Sequence, residues 1–144
     1  MAVDSPLSAN STYMRWYGPK VTAQIENKIR ANVLEGAVFL QAHYRGMFDL
    51  PKTGRWYVTD SGGMYQASAP GEPPAIKEAK LYASMDYTIP KKFGDIIYSS
   101  VGTSVKYAKE LEFGHMYAEP RPFMRVGLYE SVDELISIMG KPVM

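Results

Sequence analysis

The sequence predicts a single α+β domain, and three observations carry that reading. An apolar stripe at helical spacing runs from Val21 to Met47, β-favouring residues alternate on either side of turn signals between Gly54 and Val101, and helical spacing returns from Leu128 to Met139. The expected architecture is a long N-terminal helix and a C-terminal helix packed on a mainly antiparallel sheet of about four strands. Residues 1–18 form an N-terminal arm and residues 19–144 the domain.

In the arm, Ser, Asn and Pro give way to Tyr13, Met14, Trp16 and Tyr17. Burying each such side chain is worth roughly 1.5 to 3 kcal/mol, so the arm is expected to dock, either on its own domain or on a neighbouring subunit. In the long helix, Val21, Ile25, Ile29, Val33, Ala37, Leu40, Tyr44 and Met47 recur in steps of three or four. Pro19 suits its first turn, and Gly46 with Pro51 marks its far end. Gly36 in the middle points to a close crossing, with a helix-on-sheet contact expected.

The run Gly54–Ser68 places aromatics around Asp60-Ser61-Gly62-Gly63 and predicts a β-hairpin. Ala67–Ala75 holds three prolines and predicts a stiff, extended loop. From Leu81 to Ile89, Leu81, Ala83, Met85, Tyr87 and Ile89 alternate with polar neighbours, which predicts a strand. Pro90-Lys91-Lys92 ends it, and Phe93–Val101 predicts a second strand paired antiparallel with the first. Tyr107–Phe113 predicts one or two helical turns before Gly114, and Glu119-Pro120-Arg121-Pro122 a rigid bridge. Leu128, Val132, Leu135, Ile136 and Met139 then outline the closing helix, stopped by Gly140-Lys141-Pro142.

Composition narrows the function classes. The 144 residues carry 16 Lys plus Arg against 15 Asp plus Glu, two His and no Cys. That balance offers no basic excess for gripping nucleic acid, no disulfide framework and no thiolate site. No apolar run approaches the ~20 residues of a membrane span, and the polar N-terminus lacks a signal-peptide pattern, so a soluble, unsecreted chain is expected. No phosphate-cradling glycine motif is present. Ser61 lacks the glycine two residues before it that a nucleophile elbow requires. No catalytic residue, cofactor site or metal site is assigned. An acid–base cluster of Glu110, Glu112 and His115 is the weakest alternative, and stacking of single-stranded nucleic acid on Arg55-Trp56-Tyr57 is another.

Two stretches go further. Thr53-Gly54-Arg55-Trp56-Tyr57 leads to Ala67-Ser68-Ala69-Pro70-Gly71-Glu72-Pro73-Pro74-Ala75. Later, Val101-Gly102-Thr103-Ser104-Val105-Lys106-Tyr107-Ala108 precedes Leu111-Glu112-Phe113-Gly114 and Arg121-Pro122-Phe123-Met124-Arg125. Together, over roughly residues 30 to 135, the chain resembles the minor tail component family of long-tailed, lambda-like bacteriophages, the neck or tail-completion proteins. It departs from the family pattern at Glu78-Ala79, at His115 and at Val126-Gly127.

The resemblance implies a structural virion protein at the head–tail joint, formed in the host cytoplasm and assembled as a homo-oligomeric ring. Its neighbours would be head-closure, tail-terminator or major tail proteins, with genomic DNA passing through the lumen without specific binding and no membrane involved. A tail terminator or head-closure ring protein is the alternative within that class. The expected interface residues are Trp16 and Tyr17 of the arm; Pro70, Gly71, Glu72, Pro73 and Pro74 of the stiff loop; and Phe113, Tyr117 and Phe123 as anchors. Arg121 and Arg125 flank Phe123 and are expected either to meet a neighbour's carboxylates or to face solvent.

Overall fold

A computed structural model of the chain describes residues 16–76 and 79–144. The expected docking of the arm falls, for Tyr13, Met14 and the residues before them, outside the described residues. The elements are α1 (Gly18–Asp49), β1 (Trp56–Val58), β2 (Met64–Gln66), α2 (Lys80–Ser84), β3 (Asp86–Tyr87), β4 (Lys91–Phe93), β5 (Ile96–Tyr98), β6 (Val101–Gly102), α3 (Ala108–Phe113) and α4 (Met124–Met139). This is the α+β arrangement expected from the sequence, dominated by its first and last helices.

The 32 residues of α1 make a rod about 48 Å long at ~1.5 Å per residue. Its C-terminal half supplies Tyr44, Met47 and Phe48 to the core, where they meet Leu81, Met85, Ala108 and Phe123. The Phe123 ring is fully buried and stands edge-on to Tyr44 and Phe48, with centroids 6.5 and 5.3 Å away. Helix α4 runs back along α1 in the opposite direction. The buried Asn32 donates its side-chain amide to Lys141 O at 3.0 Å near one end, and Tyr44 donates its hydroxyl to Met124 O at 3.0 Å near the other.

The face that α4 turns to α1 is not the one expected. Gly127, Ser131 and Ile138 are its buried residues, whereas Leu128, Val132, Ile136 and Met139 of the expected stripe are exposed and Leu135 is half-buried. The reason is distance: a Cβ on Gly127 would lie 2.5 Å from Tyr44 Cε1 and 2.7 Å from Met47 Sδ. Small residues let the helices approach, and Leu128, Val132 and Ile136 are displaced round the helix, with Met139 at the edge of the contact. Gly36 likewise packs on Met139 and Leu135, so its close crossing is with a helix rather than a sheet.

The strands also depart from expectation in their grouping. They form three separate antiparallel two-stranded ladders, β1–β2, β3–β6 and β4–β5, rather than one sheet of about four strands. The expected strand over Leu81–Ile89 is shortened to Asp86–Tyr87 because Lys80–Ser84 is helical. Leu81 and Met85, four apart, are both buried, and a helical turn puts both on one face. Phe93–Val101 is not one strand either. A turn at Gly94, φ +59°, folds it into the β4–β5 hairpin, and only Val101–Gly102 pairs with Asp86–Tyr87. The first hairpin is as expected, closed by Thr59 N–H donating to Gly63 O at 2.7 Å with Gly62 at φ +85°.

Candidate interaction surfaces

The stiff loop and the later bridge, far apart in sequence, are brought side by side. Gly71 N–H donates to Pro120 O at 3.1 Å, and Arg121 Nε donates to Ser68 O at 3.1 Å. Glu72 is turned inward against Thr53 and Ala69. Its carboxylate accepts Thr53 N–H at 3.1 Å, Ala69 N–H at 2.8 Å and the Thr53 hydroxyl. The Thr53 hydroxyl foremost, then these N–H groups, holds its carboxyl below the usual range. Of the loop residues expected at an interface, Pro70 and Gly71 are exposed, Glu72 and Pro73 are half-buried and Pro74 is buried. Glu72 therefore fastens the loop, and Pro74 belongs to the interior.

On the other side of this seam the expected anchors divide. Phe113 and Tyr117 are exposed, Tyr117 at 88%. Phe123 is a core residue and not an anchor, because the chain turns inward where α4 begins. Glu112 sets that turn. Almost fully buried, its carboxylate accepts the backbone N–H groups of Phe123, Met124 and Arg125 at 2.8, 2.9 and 3.1 Å, and Arg125 Nε at 3.0 Å. Burial works against its charge, but these donors at the helix start, together with the guanidinium, hold its carboxyl below the usual range. Arg125 also lies over the Phe113 ring, 5.1 Å from its centroid. The two arginines, expected either to meet a neighbour's carboxylates or to face solvent, have partners within the chain: Arg121 on Ser68 and Glu119 carbonyls, and the largely exposed Arg125 on Glu112. Trp16 and Tyr17 are exposed at the start of α1.

Sequence reasoning missed three apolar surfaces. In β1–β2 the register Trp56↔Gln66, Tyr57↔Tyr65 and Val58↔Met64 sets Trp56, Val58 and Met64 on one face, all more than half exposed. Tyr57 and Tyr65 stack on the other face, 5.7 Å apart, and with Phe48 and Leu81 they line a cleft of about 460 Å³. In β4–β5, Lys92 and the half-buried Ile97 face α1, where Lys92 Nζ meets Glu26 at 2.7 Å and Arg30 meets the same carboxyl group at 3.0 Å. The Lys92 contact foremost holds the Glu26 carboxyl below the usual range. The opposite face carries Lys91, Phe93, Ile96 and Tyr98, with Phe93 78% and Ile96 64% exposed. The third surface is the displaced stripe of α4. At 100° per residue, Leu128, Tyr129, Val132, Ile136 and Met139 share an arc of ~100°, and all five are exposed. A count of apolar residues on both sides of that helix would have found it, since no single core-facing stripe accommodates them all.

The alternative acid–base cluster does not converge. Glu112 is committed to the start of α4, and His115 Nδ1 accepts Tyr117 N–H at 3.2 Å within its own loop. Among the described residues no three His, Asp or Glu side chains are grouped to hold a metal ion, and no helix is long and apolar enough to cross a membrane. No protein-family model, curated protein or solved structure matches the chain.

Proposed function

We propose that the chain is a structural subunit of a tailed bacteriophage virion that forms a homo-oligomeric ring at the head–tail joint. The observation carrying the reading is the number and separation of its apolar surfaces: among the described residues, two hairpin faces and one helix stripe stand uncovered. Large exposed apolar patches mark association sites. Two-stranded ladders, marginal by themselves in water, gain most from a neighbour laid against them. The resemblance of the Pro-rich loop and the Leu111–Arg125 segment to the phage neck and tail-completion family gives that association its setting, and the near-neutral net charge suits a channel through which DNA slides without being held. A tail-terminator role would use the same surfaces.

Electron microscopy of a lysate of the parent phage with an early stop in this gene tests the role. Filled heads beside separate tails of normal length are expected. Overlong tails would transfer the chain to the terminator role, and normal infectious particles would overturn the virion reading.

A further inference from the structure

We propose, building on the ring reading, that the α4 stripe of one copy lies across the outer face of the β4–β5 hairpin of the next. The two surfaces are complementary in kind. A sheet face and an amphipathic helix stripe are the two halves of an ordinary helix-on-sheet layer, and among the described residues each lacks its partner. Glu26, Arg30 and Lys92 fasten the inner face of the hairpin to α1, leaving Phe93, Ile96 and Tyr98 to solvent on the other. Gly127 and Ser131 occupy the side of α4 against α1, leaving Val132 and Ile136 outward.

Size and charge both fit a second copy. With a fully exposed aromatic residue contributing ~150–250 Å² and these side chains between about a third and four-fifths exposed, each face offers up to roughly 500 Å², and pairing them buries up to about 1,000 Å², the lower bound for a specific interface. Lys91 stands on the hairpin face with no ion pair among the described residues. Asp133, equally without one, borders the α4 stripe next to Tyr129 and Ile136, whereas Glu130 is turned to His43 of its own chain, 3.1 Å away. The face of β1–β2, with Trp56, Val58, Met64 and Gln66, has no charge to answer Asp133. Because the two surfaces are different patches of one chain, the contact is head-to-tail, the type that generates a ring when its rotation closes.

The absence of cysteine makes the test direct. Phe93→Cys with Ile136→Cys in one chain, under mild oxidation, is expected to give a ladder of disulfide-linked oligomers. An equimolar mixture of the two single variants should stop at dimers, and each single variant alone should give none. Ile136→Asp should shift the native mass of the otherwise wild-type chain to monomer, with helical circular dichroism unchanged. Dimers from Ile136→Cys alone would show a two-fold helix–helix contact and overturn the proposal. So would a wild-type oligomer in native mass spectrometry with no cross-linking of the double variant, which would leave the ring reading standing on another surface. A wild-type chain that stays monomeric at high concentration, with no ladder, would overturn both.

Discussion

At Glu112 the chain buries a carboxylate against the three backbone N–H groups that open α4. Those groups have no partner within the helix, so removing the side chain leaves buried donors unpaired. Glu112→Ala is expected to destabilise the fold by about 3 kcal/mol, and Glu112→Gln by less, as read from urea unfolding at neutral pH. The folded pKa is depressed, so this contribution is present above the ordinary carboxylate value of ~4.3 and fades as pH falls through the folded pKa. The gap between wild type and Glu112→Gln should therefore narrow in acid; an unchanged gap would count against the ionised carboxylate as its source. Tyr44 has the opposite sign. Burial, with the Glu112 charge adding to it, pushes its hydroxyl up to about 12. Stability from the neutral phenol holds below ~10 and is lost as pH rises through the folded value. A spectrophotometric titration should show one late tyrosine step that Tyr44→Phe removes. Neither role was legible beforehand, because Glu112 and Phe123 are joined only once α3 and α4 fold toward each other. A carboxylate next to Phe113 and an aromatic between two arginines read equally well as surface groups.

Helices and hairpins were more legible than their packing. Local rules set the limits of α1, the stop of α4 and the first hairpin, through proline, glycine and apolar spacing, and those limits appear in the structure. The burying face depends on backbone distance, which hydrophobicity alone does not encode; Gly127 and Ser131 take the interface with α1 in place of the larger Leu128, Val132 and Ile136. The two glycines of this helix pair should respond differently to alanine. At Gly127 a methyl group would strike the Tyr44 ring and Met47 Sδ in a packed core, so Gly127→Ala is expected to cost about 2 kcal/mol net of the ~1 kcal/mol of helix propensity gained. At Gly36 the nearest atom is Met139 Cγ at 3.2 Å, on a flexible and exposed side chain. Gly36→Ala should be neutral or raise the denaturation midpoint, and a loss as large as that at Gly127 would mean that Met139 is held in place. The short α2 departs from the expected strand for a related reason. Leu81, Ala83 and Met85 satisfy a period of two, but only Leu81 and Met85 are buried, and they satisfy a period of four equally well.

Across the whole molecule, α1 is one continuous helix with two unlike halves. From Asn32 to Phe48 it is held by α4 and the core. Pro19 to Gln24 is exposed on every side, with no side-chain cap, no acidic residue in the first turn and Lys20 at the positive end of the helix dipole. A helical stretch with so little to hold it is marginal in water. Amide hydrogens of residues 22–25 are therefore expected to exchange orders of magnitude faster than those of 40–48, a contrast that hydrogen-exchange mass spectrometry would resolve. Equal protection along the rod in the isolated chain would refute this. The effective length of the rod is then a variable rather than a constant: whatever comes to rest on those first turns lengthens the rigid part by about 10 Å, so α1 would register contact at its tip as a change in reach.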